Sequence, residues 1–315
     1  MTERPPVGAS VDLGSNSVHL LVAAVDGHEL RSLADESVFL GLGAAVDDQA
    51  HLGTARREAL VEALVRYATT ARQLGASDIT FMGTEPIRRA ADAARIVAEV
   101  ERASGVPLHV LSHEEEAYLT LVGVTSGQPV AHETLVVDIG GGSSEFCAVA
   151  AGGLARAAGL RLGSNRLTTG FVRDDPPTAD QLDSMATAAD EILRDALPAE
   201  PTDLVLVGGT ASNLLKVTQA GTTDRLVTRE RVAEAIATLT SQPAARTSER
   251  YGVNPTRARL LPAGAVIVDA LMRRYGVDGV RVSEEGMREG AILVAQHAGR
   301  AWRDRLAELA HGWRR

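Results

Sequence analysis

The stretch "LVVDIGGGSSE" at residues 135–145 joins an apolar run to a carboxylate and then to a loop with almost no side chains. The apolar run is typical of a buried strand, and it ends at Asp138. The three glycines that follow expose backbone N–H groups, so a phosphate can approach them closely. A carboxylate beside phosphate requires a cation between the two. The stretch therefore predicts a strand and turn that hold Mg²⁺ and phosphate.

The same pattern occurs a second time near the start of the chain. "VDLGSNSVHLLVAAVDG" at residues 11–27 aligns without a gap with "VDIGGGSSEFCAVAAGG" at residues 137–153, which places Asp12 on Asp138. One Asp-Gly turn is also an ordinary hairpin feature. Two copies with the same spacing of aspartate, glycine and serine indicate an internal duplication. Each half of the chain is therefore expected to open with a hairpin.

Outside the two repeats, helical and strand patterns alternate along the chain. Ser112 and Thr178 each begin a capping-box sequence, with a Glu or Gln three residues later. The predicted strands are 78–82, 108–111, 203–209 and 279–283. The predicted helices are 54–74, 90–104, 178–197, 228–239, 260–274 and a C-terminal one at 306–313. This alternation indicates an α/β protein built from two similar halves.

The size and charge of the chain limit the classes of protein that it can be. A length of 315 residues exceeds what one hydrophobic core normally supports, so two domains are expected. The net charge of -9 and the pI of about 5.4 argue against general binding to nucleic acid or to a membrane surface. No apolar stretch reaches the roughly 18 residues of a membrane span. The sequence therefore predicts a cytoplasmic protein.

Two residue counts exclude other chemistries. Cys147 is the only cysteine, which excludes an internal disulfide and a thiolate metal cluster. Lys216 is the only lysine and the motif GxxxxGK[ST] does not occur, which excludes a P-loop NTPase. A polyanionic ligand would therefore have to be bound by arginine side chains.

A third glycine element, "VGGTASN" at residues 207–213, follows a predicted strand and precedes a helix expected to begin near Ser212. Glycines at the N-terminus of a helix form an anion site through exposed N–H groups and the helix dipole. A plain strand-to-helix turn explains the pattern equally well. The sequence leaves both interpretations open.

Three further stretches accompany the motifs "VDLGSNS", "VDIGGGSSE" and "VGGTAS": they are "GTEPIRRAAD" at 83–92, "LSHEEEAYLTLVGV" at 111–124 and "SEEGMREGAI" at 283–292. The order and spacing of these six motifs resemble the actin-like ATPase superfamily, and more closely its exopolyphosphatase/guanosine pentaphosphate phosphatase (Ppx/GppA) family in the short two-domain form. The resemblance implies two duplicated actin-like (RNase H-like) α/β domains with a cleft between them. The expected bounds are 1–124, completed by a C-terminal helix at about 298–315, and 125–297.

The resemblance also implies roles for individual residues. Glu116 matches the general base, and Asp138 matches the carboxylate associated with magnesium. The implied cation ligands are Asp12, Asp138 and Glu145. The implied substrate-binding residues are Ser15, Asn16, Ser17, Arg88, Gly140, Gly141, Gly142, Ser143, Ser144, Gly209 and Thr210. His113 and Glu285 depart from the family pattern, and they leave the substrate preference open.

The chemistry of phosphoanhydride hydrolysis agrees with these roles. Water must be oriented in line with a phosphorus atom whose oxygens are negative, so catalysis rests on positioning and charge neutralisation. Mg²⁺, backbone N–H groups and Arg88 would neutralise charge, and Glu116 would deprotonate the water. Some of these residues also have ordinary interpretations. Helix capping explains Glu115, and Arg88 can belong to a solvated helix start, while Arg161 and Arg166 can line the substrate path or be surface charges.

The function that we predict is an exopolyphosphatase that uses Mg²⁺ to release orthophosphate from inorganic polyphosphate. The alternative is removal of the 5′ γ-phosphate from guanosine pentaphosphate, since the same groups would serve it. A more distant alternative is a non-hydrolytic nucleotide-binding regulator or a sugar-kinase-like protein. The expected partners are polyphosphate or a (p)ppGpp-type substrate, without nucleic acid or membrane, and a homodimer is among the expected assemblies.

Overall fold

The computed structural model describes residues 5–218 and 225–313. The contacts within the chain define two compact units. Unit 1 comprises Met1–Val130 and Glu285–Arg315, and unit 2 comprises Ala131–Glu284. Within the described residues, no helix is both long and apolar enough to cross a membrane.

Unit 1 has a five-stranded sheet. Its strands are β1 (Val7–Leu13), β2 (Ser17–Asp26), β3 (Glu29–Phe39), β4 (Asp78–Gly83) and β5 (Leu108–Val110). Its α-helices are α1 (Leu42–Gln49), α2 (Thr54–Gln73), α3 (Glu85–Arg89), α4 (Ala93–Ser104), α5 (His113–Thr125) and, late in the chain, α12 (Met287–Ala298) and α13 (Leu306–Leu309), with a 3₁₀ turn at Gly299–Ala301. The strand order is β3-β2-β1-β4-β5, in which β1 pairs antiparallel with β2 and parallel with β4.

Both faces of this sheet carry a hydrophobic core, because successive side chains of a strand point to opposite faces. Val11 of β1 lies in one core with Tyr67 of α2. Leu21 of β2 lies in the other core with Leu119 of α5 and Leu293 of α12. The ends of β1 and β4 are thus held by packing on both sides of the sheet.

Unit 2 has a six-stranded sheet. Its strands are β6 (Thr134–Ile139), β7 (Ser144–Val149), β8 (Arg156–Leu160), β9 (Asp203–Val207), β10 (Leu226–Thr228) and β11 (Gly279–Val282). Its α-helices are α6 (Ser164–Phe171), α7 (Ala179–Ile192), α8 (Gly208–Thr218), α9 (Arg229–Thr240), α10 (Ala244–Tyr251) and α11 (Pro255–Tyr275), with a 3₁₀ turn at Leu193–Asp195. The strand order is β10-β11-β9-β6-β7-β8.

The core of unit 2 joins the sheet to its longest helix. Val137 of β6 and Leu206 of β9 lie in one buried cluster with Met185 of α7 and Leu271 of α11. Cys147 of β7 is buried, and burial raises the pKa of its thiol to about 12. This cysteine is therefore a packing residue of the sheet and not a reactive thiolate.

The two sheets share the order of their first four strands, β3-β2-β1-β4 in unit 1 and β8-β7-β6-β9 in unit 2. Their first hairpins also close in the same way. The Gly14 N–H donates to the Ser17 carbonyl at 3.1 Å, and the Gly140 N–H donates to the Ser143 carbonyl at 3.0 Å. The predicted pair of hairpins and the predicted α/β class are confirmed.

The bounds of the two units differ from the expected domain bounds of 1–124 and 125–297, because helix α12 belongs to unit 1. Its Leu293 packs in a core of unit 1, and the chain from Glu285 onward belongs to that unit. The apolar pattern of a helix shows that one face is buried, but it does not show which sheet that face covers. Leu306 of the short helix α13 lies in the same core, so the C-terminal segment also packs on unit 1.

Candidate active site

The predicted phosphate-binding residues Ser15 and Asn16 lie in the turn between β1 and β2, and Ser17 is the first residue of β2. The Asn16 carbonyl accepts the N–H of Gly41 at 2.9 Å, and the Ser15 carbonyl accepts the N–H of Gly43 at 2.8 Å. These bonds tie the turn to the segment that follows β3. The turn therefore has a fixed backbone orientation within unit 1.

Arg88 and Glu116, the predicted phosphate-binding arginine and the predicted base, contact each other within unit 1. The Nη1 atom of Arg88 donates to Oε1 of Glu116 and, at 2.5 Å, to the Leu111 carbonyl. Its Nη2 atom lies 3.0 Å from Nδ1 of His113. The Glu116 residue is only 6 % exposed. Since a buried carboxylate is costly without a partner, the guanidinium stabilises Glu116 in this position.

Glu115, the neighbour of Glu116, caps helix α5 and pairs with Arg303. Its Oε2 accepts the Ser112 N–H at 2.8 Å while its own N–H donates to the Ser112 hydroxyl at 3.2 Å, which completes the predicted capping box of α5. Arg303 also donates to Glu115, with Nη2 at 2.9 Å from Oε2. Burial raises the pKa of Glu115, but the hydrogen bonds from Arg303 and Ser112 outweigh it, so the pKa lies below its usual value. Glu115 is therefore a structural residue.

The turn between β6 and β7 contains the three consecutive glycines at residues 140–142. Ser143 and Ser144 at its end are both buried. The Ser144 hydroxyl donates to the Leu162 carbonyl at 2.6 Å, so this side chain fixes the end of the turn against the chain before α6. The predicted contact of Ser144 with substrate stays a prediction.

Asp138 and Glu145 lie directly opposite each other on the adjacent strands β6 and β7. Cross-strand partners have their side chains on the same face of the sheet, and two like charges in that position are destabilising. Gly208 adjoins them, since a Cβ atom there would lie 2.3 Å from Oδ1 of Asp138. Gly208 has φ 89, which is a left-handed conformation that favours glycine. This corner of unit 2 therefore offers two neighbouring carboxylates that a cation would stabilise.

Asp12, the residue of unit 1 that matches Asp138, has different charged neighbours. Asp12 pairs across the strands with His19, not with a second carboxylate. The guanidinium of Arg288 is half-buried, and this partial burial lowers its pKa, but its hydrogen bond to Asp35 and the nearby charges that include Asp12 outweigh burial and raise the pKa. Asp12 thus lies near a positive charge, whereas Asp138 faces Glu145. The two copies have diverged in the charge around their shared aspartate.

The third glycine element is a strand-to-helix junction. Helix α8 begins at Gly208, four residues before the expected start near Ser212. The Asn213 side chain donates to the Gly209 carbonyl at 2.7 Å, and the Thr210 hydroxyl lies 3.4 Å from that of Ser164. Gly209 and Thr210 are therefore held by contacts within unit 2.

Arg257 of helix α11 is a candidate site residue that could not be predicted from the sequence. A Cβ atom on Gly209 would lie 1.9 Å from Nη1 of Arg257, so the guanidinium lies against the third glycine element. Burial lowers the pKa of Arg257, and no carboxylate pairs with it in the described part of the chain. Arg257 is half-buried, and a guanidinium stays charged in such a position, so it attracts an anion. Nothing in the sequence distinguishes Arg257 from the other arginines.

The two sheets of matching strand order, each with an aspartate at the end of its first strand, define an actin-like α/β protein. The chain belongs to the Ppx/GppA phosphatase family, whose model matches residues 21–298. Exopolyphosphatase 1 of Mycobacterium tuberculosis is 29% identical over 306 residues, which cover 90% of this chain and 86% of that protein. The guanosine-5'-triphosphate,3'-diphosphate pyrophosphatase of Vibrio cholerae is 27% identical, and the match covers 91% of this chain and 59% of that protein.

A solved structure supports the same assignment. The crystal structure of the Aquifex aeolicus member of the Ppx/GppA family is 25% identical, with a TM-score of 0.82, and the match covers 93% of this chain and 99% of that one. The predicted family, fold class and phosphatase class of enzyme are confirmed. The roles of the individual site residues stay predictions.

Proposed function

We propose that this protein is an exopolyphosphatase that hydrolyses the terminal phosphoanhydride of inorganic polyphosphate and releases orthophosphate. The observation that carries the proposal is the pair of facing carboxylates, Asp138 and Glu145, beside a turn of three glycines. Among the relatives, Exopolyphosphatase 1 of Mycobacterium tuberculosis is matched over 86% of its length, against 59% for the Vibrio cholerae pyrophosphatase. This difference favours polyphosphate over guanosine pentaphosphate, which is the second candidate substrate.

Asp138 and Glu145 would hold Mg²⁺, because they offer the carboxylate oxygens that this ion prefers. Their like charges on facing strand positions fit a bound cation. We propose Asp12 as a further ligand on the basis of the duplication, although Arg288 lies near it. When bound, the ion would neutralise negative charge on the phosphate oxygens.

Backbone and side-chain groups of the protein would bind the phosphate and accept the proton of the attacking water. Backbone N–H groups of the glycine turns and the guanidinium of Arg88 would bind phosphate oxygens. Glu116 would accept a proton from the attacking water, since a carboxylate held by an arginine is fixed in orientation. The predicted cytoplasmic location, the homodimer and the lack of nucleic-acid or membrane partners stay predictions.

Purified protein with Mg²⁺ should release orthophosphate from polyphosphate, and an excess of EDTA should abolish the release because the facing carboxylates would lose their cation. Guanosine pentaphosphate and ATP should be assayed in parallel at matched concentrations. Faster turnover of guanosine pentaphosphate would select the second candidate. Turnover of ATP alone, or of none of the three, would overturn the proposal and favour a nucleotide-binding regulator or a sugar-kinase-like protein.

Replacing Arg88 should weaken both substrate binding and turnover. Arg88→Ala removes a guanidinium that contacts Glu116, so we expect kcat/KM to fall by about one to two orders of magnitude, the size of a charge-assisted hydrogen bond. Arg88→Lys keeps the positive charge but lacks the planar guanidinium with its two Nη donors. Its kcat/KM should therefore lie between those of the wild-type protein and Arg88→Ala. Steady-state kinetics on polyphosphate measure both variants.

The matched control for charge is Arg95→Ala. Arg95 has a 64% exposed side chain that pairs with Glu99 on helix α4, so its loss should leave kcat/KM unchanged. If Arg88→Ala behaved like Arg95→Ala, Arg88 would be only a structural partner of Glu116.

A further inference from the structure

The three carbonyls of the glycine turn in unit 2 are all bound by the first turn of helix α6. The Ser164 N–H donates to the Gly140 carbonyl at 3.1 Å, and the Arg166 N–H donates to the Gly141 carbonyl at 3.1 Å. The Arg166 side chain completes the set, since its Nε donates to the Gly142 carbonyl at 2.9 Å. Arg166 therefore bonds to two successive peptide groups of the turn.

Helix α6 approaches the turn closely enough for these bonds because of Gly163. A Cβ atom at Gly163 would lie 2.3 Å from the Gly141 carbonyl oxygen, nearer than any side chain allows. The backbone of the turn and the start of α6 are thus in direct contact. The orientation of the turn depends on this contact and on the side chain of Arg166.

The bound carbonyls determine where the N–H groups of the turn point. In a trans peptide the C=O of one residue and the N–H of the next lie in one plane and point in opposite directions. With its carbonyls directed at α6, the turn directs the N–H groups of Gly141, Gly142 and Ser143 away from α6. In the described part of the chain, none of these three N–H groups donates to another protein group. Successive N–H groups of this kind form a concave anion site.

We propose that Arg166 is a positioning residue for phosphate binding: it holds the glycine turn so that three N–H groups are available to the terminal phosphate. This inference deepens the proposed function and rests on it for the identity of the ligand. Arg166 acts here through the Gly142 carbonyl and not by direct contact with phosphate. The sequence left Arg166 open as either a substrate-path residue or a surface charge.

The test compares Arg166→Ala with Arg166→Gln in the full-length protein. The amide nitrogen of glutamine is as many bonds from Cα as the Nε of arginine, so Gln can still donate to the Gly142 carbonyl without a positive charge. The control is Arg156→Ala, which removes an exposed charge from β8 in the same unit. Binding of tripolyphosphate with Mg²⁺ is measured by calorimetry, and exchange of single amide hydrogens is measured by NMR without ligand.

We expect Arg166→Ala to weaken tripolyphosphate binding by about ten- to a hundredfold, as leaving the Gly142 carbonyl without its side-chain donor implies. The N–H group of Gly140 bonds within the turn, and that of Ser164 bonds to the turn. Both should exchange faster in this variant, while amides in the centre of β6 should not. Arg166→Gln should recover most of the affinity and of the local protection. Arg156→Ala should match the wild-type protein in both measurements.

Four results would overturn the inference. Binding lost equally in Arg166→Gln and Arg166→Ala, with local exchange unchanged, would mean that the charge of Arg166 contacts the phosphate directly. Faster exchange throughout unit 2 would mean a general structural role. No effect on binding, or no binding of tripolyphosphate to the wild-type protein, would also exclude the role. If the variants behave as expected but no substrate is hydrolysed, the proposed function fails and the positioning role of Arg166 stands.

Discussion

Glu116→Gln should lower kcat for polyphosphate by about 10² to 10⁴, because glutamine cannot accept the proton of the attacking water. The change keeps the size of the side chain and an oxygen that can accept a hydrogen bond from Nη1 of Arg88. Substrate binding and the melting temperature should therefore change little. Single-turnover and steady-state kinetics with polyphosphate, together with thermal unfolding, measure the three quantities.

The adjacent glutamate provides the control. Glu115→Gln keeps an oxygen for the Ser112 N–H in the capping box but loses the charge that pairs with Arg303. The Arg303 side chain is 39% exposed, and ion pairs of this kind contribute about 0 to 1 kcal/mol. Glu115→Gln should therefore lower the melting temperature slightly and leave kcat unchanged.

Two outcomes would contradict these assignments. Loss of activity in Glu115→Gln with activity kept in Glu116→Gln would place the base one residue earlier in the chain. Full activity in both variants would restrict these glutamates to helix capping and to the pair with Arg88. A different group would then have to activate water, and the mechanism would have to be replaced.

Local features of the fold could be predicted from the sequence, because they depend on residues close together in the chain. The capping boxes at Ser112 and Thr178 are set by a residue and its third neighbour, and both form. The hairpins after Asp12 and Asp138 also form, since the turn glycine and the closing serine are three residues apart. The repeat of this short pattern was sufficient to indicate a duplicated α/β protein.

Features that depend on contacts between distant segments could not be predicted. Residues 287–297 lie within the expected bounds of the second domain, yet helix α12, which contains them, packs in unit 1 on residues more than 150 positions earlier, such as Leu119. Arg257 lies beside Gly209 because α11 packs near α8, and its sequence context gives no sign of that contact. The pairing of Arg88 with Glu116 was also not predicted, although both residues were assigned to the site separately.

Gly208→Ala should lower kcat/KM by about 10²-fold and raise the Mg²⁺ concentration needed for half-maximal activity, since a displacement near 1 Å of a catalytic group has an effect of that size. A Cβ atom at this position would lie 2.3 Å from Oδ1 of Asp138, so the carboxylate must move away from its place opposite Glu145. If Asp138 holds the cation, this shift disturbs the cation and the phosphate together. Activity measured against Mg²⁺ concentration reports both effects.

Gly75→Ala separates the contact with Asp138 from backbone strain. Gly75 and Gly208 both have φ 89, but a Cβ atom at Gly75 would meet no atom within 4 Å. Both variants should therefore lose roughly 1 to 2 kcal/mol of stability from the left-handed conformation, and Gly208→Ala should lose more because of the close contact. Only Gly208→Ala should need more Mg²⁺. An unchanged Mg²⁺ requirement in Gly208→Ala, with activity reduced no more than in Gly75→Ala, would remove Asp138 from the cation site.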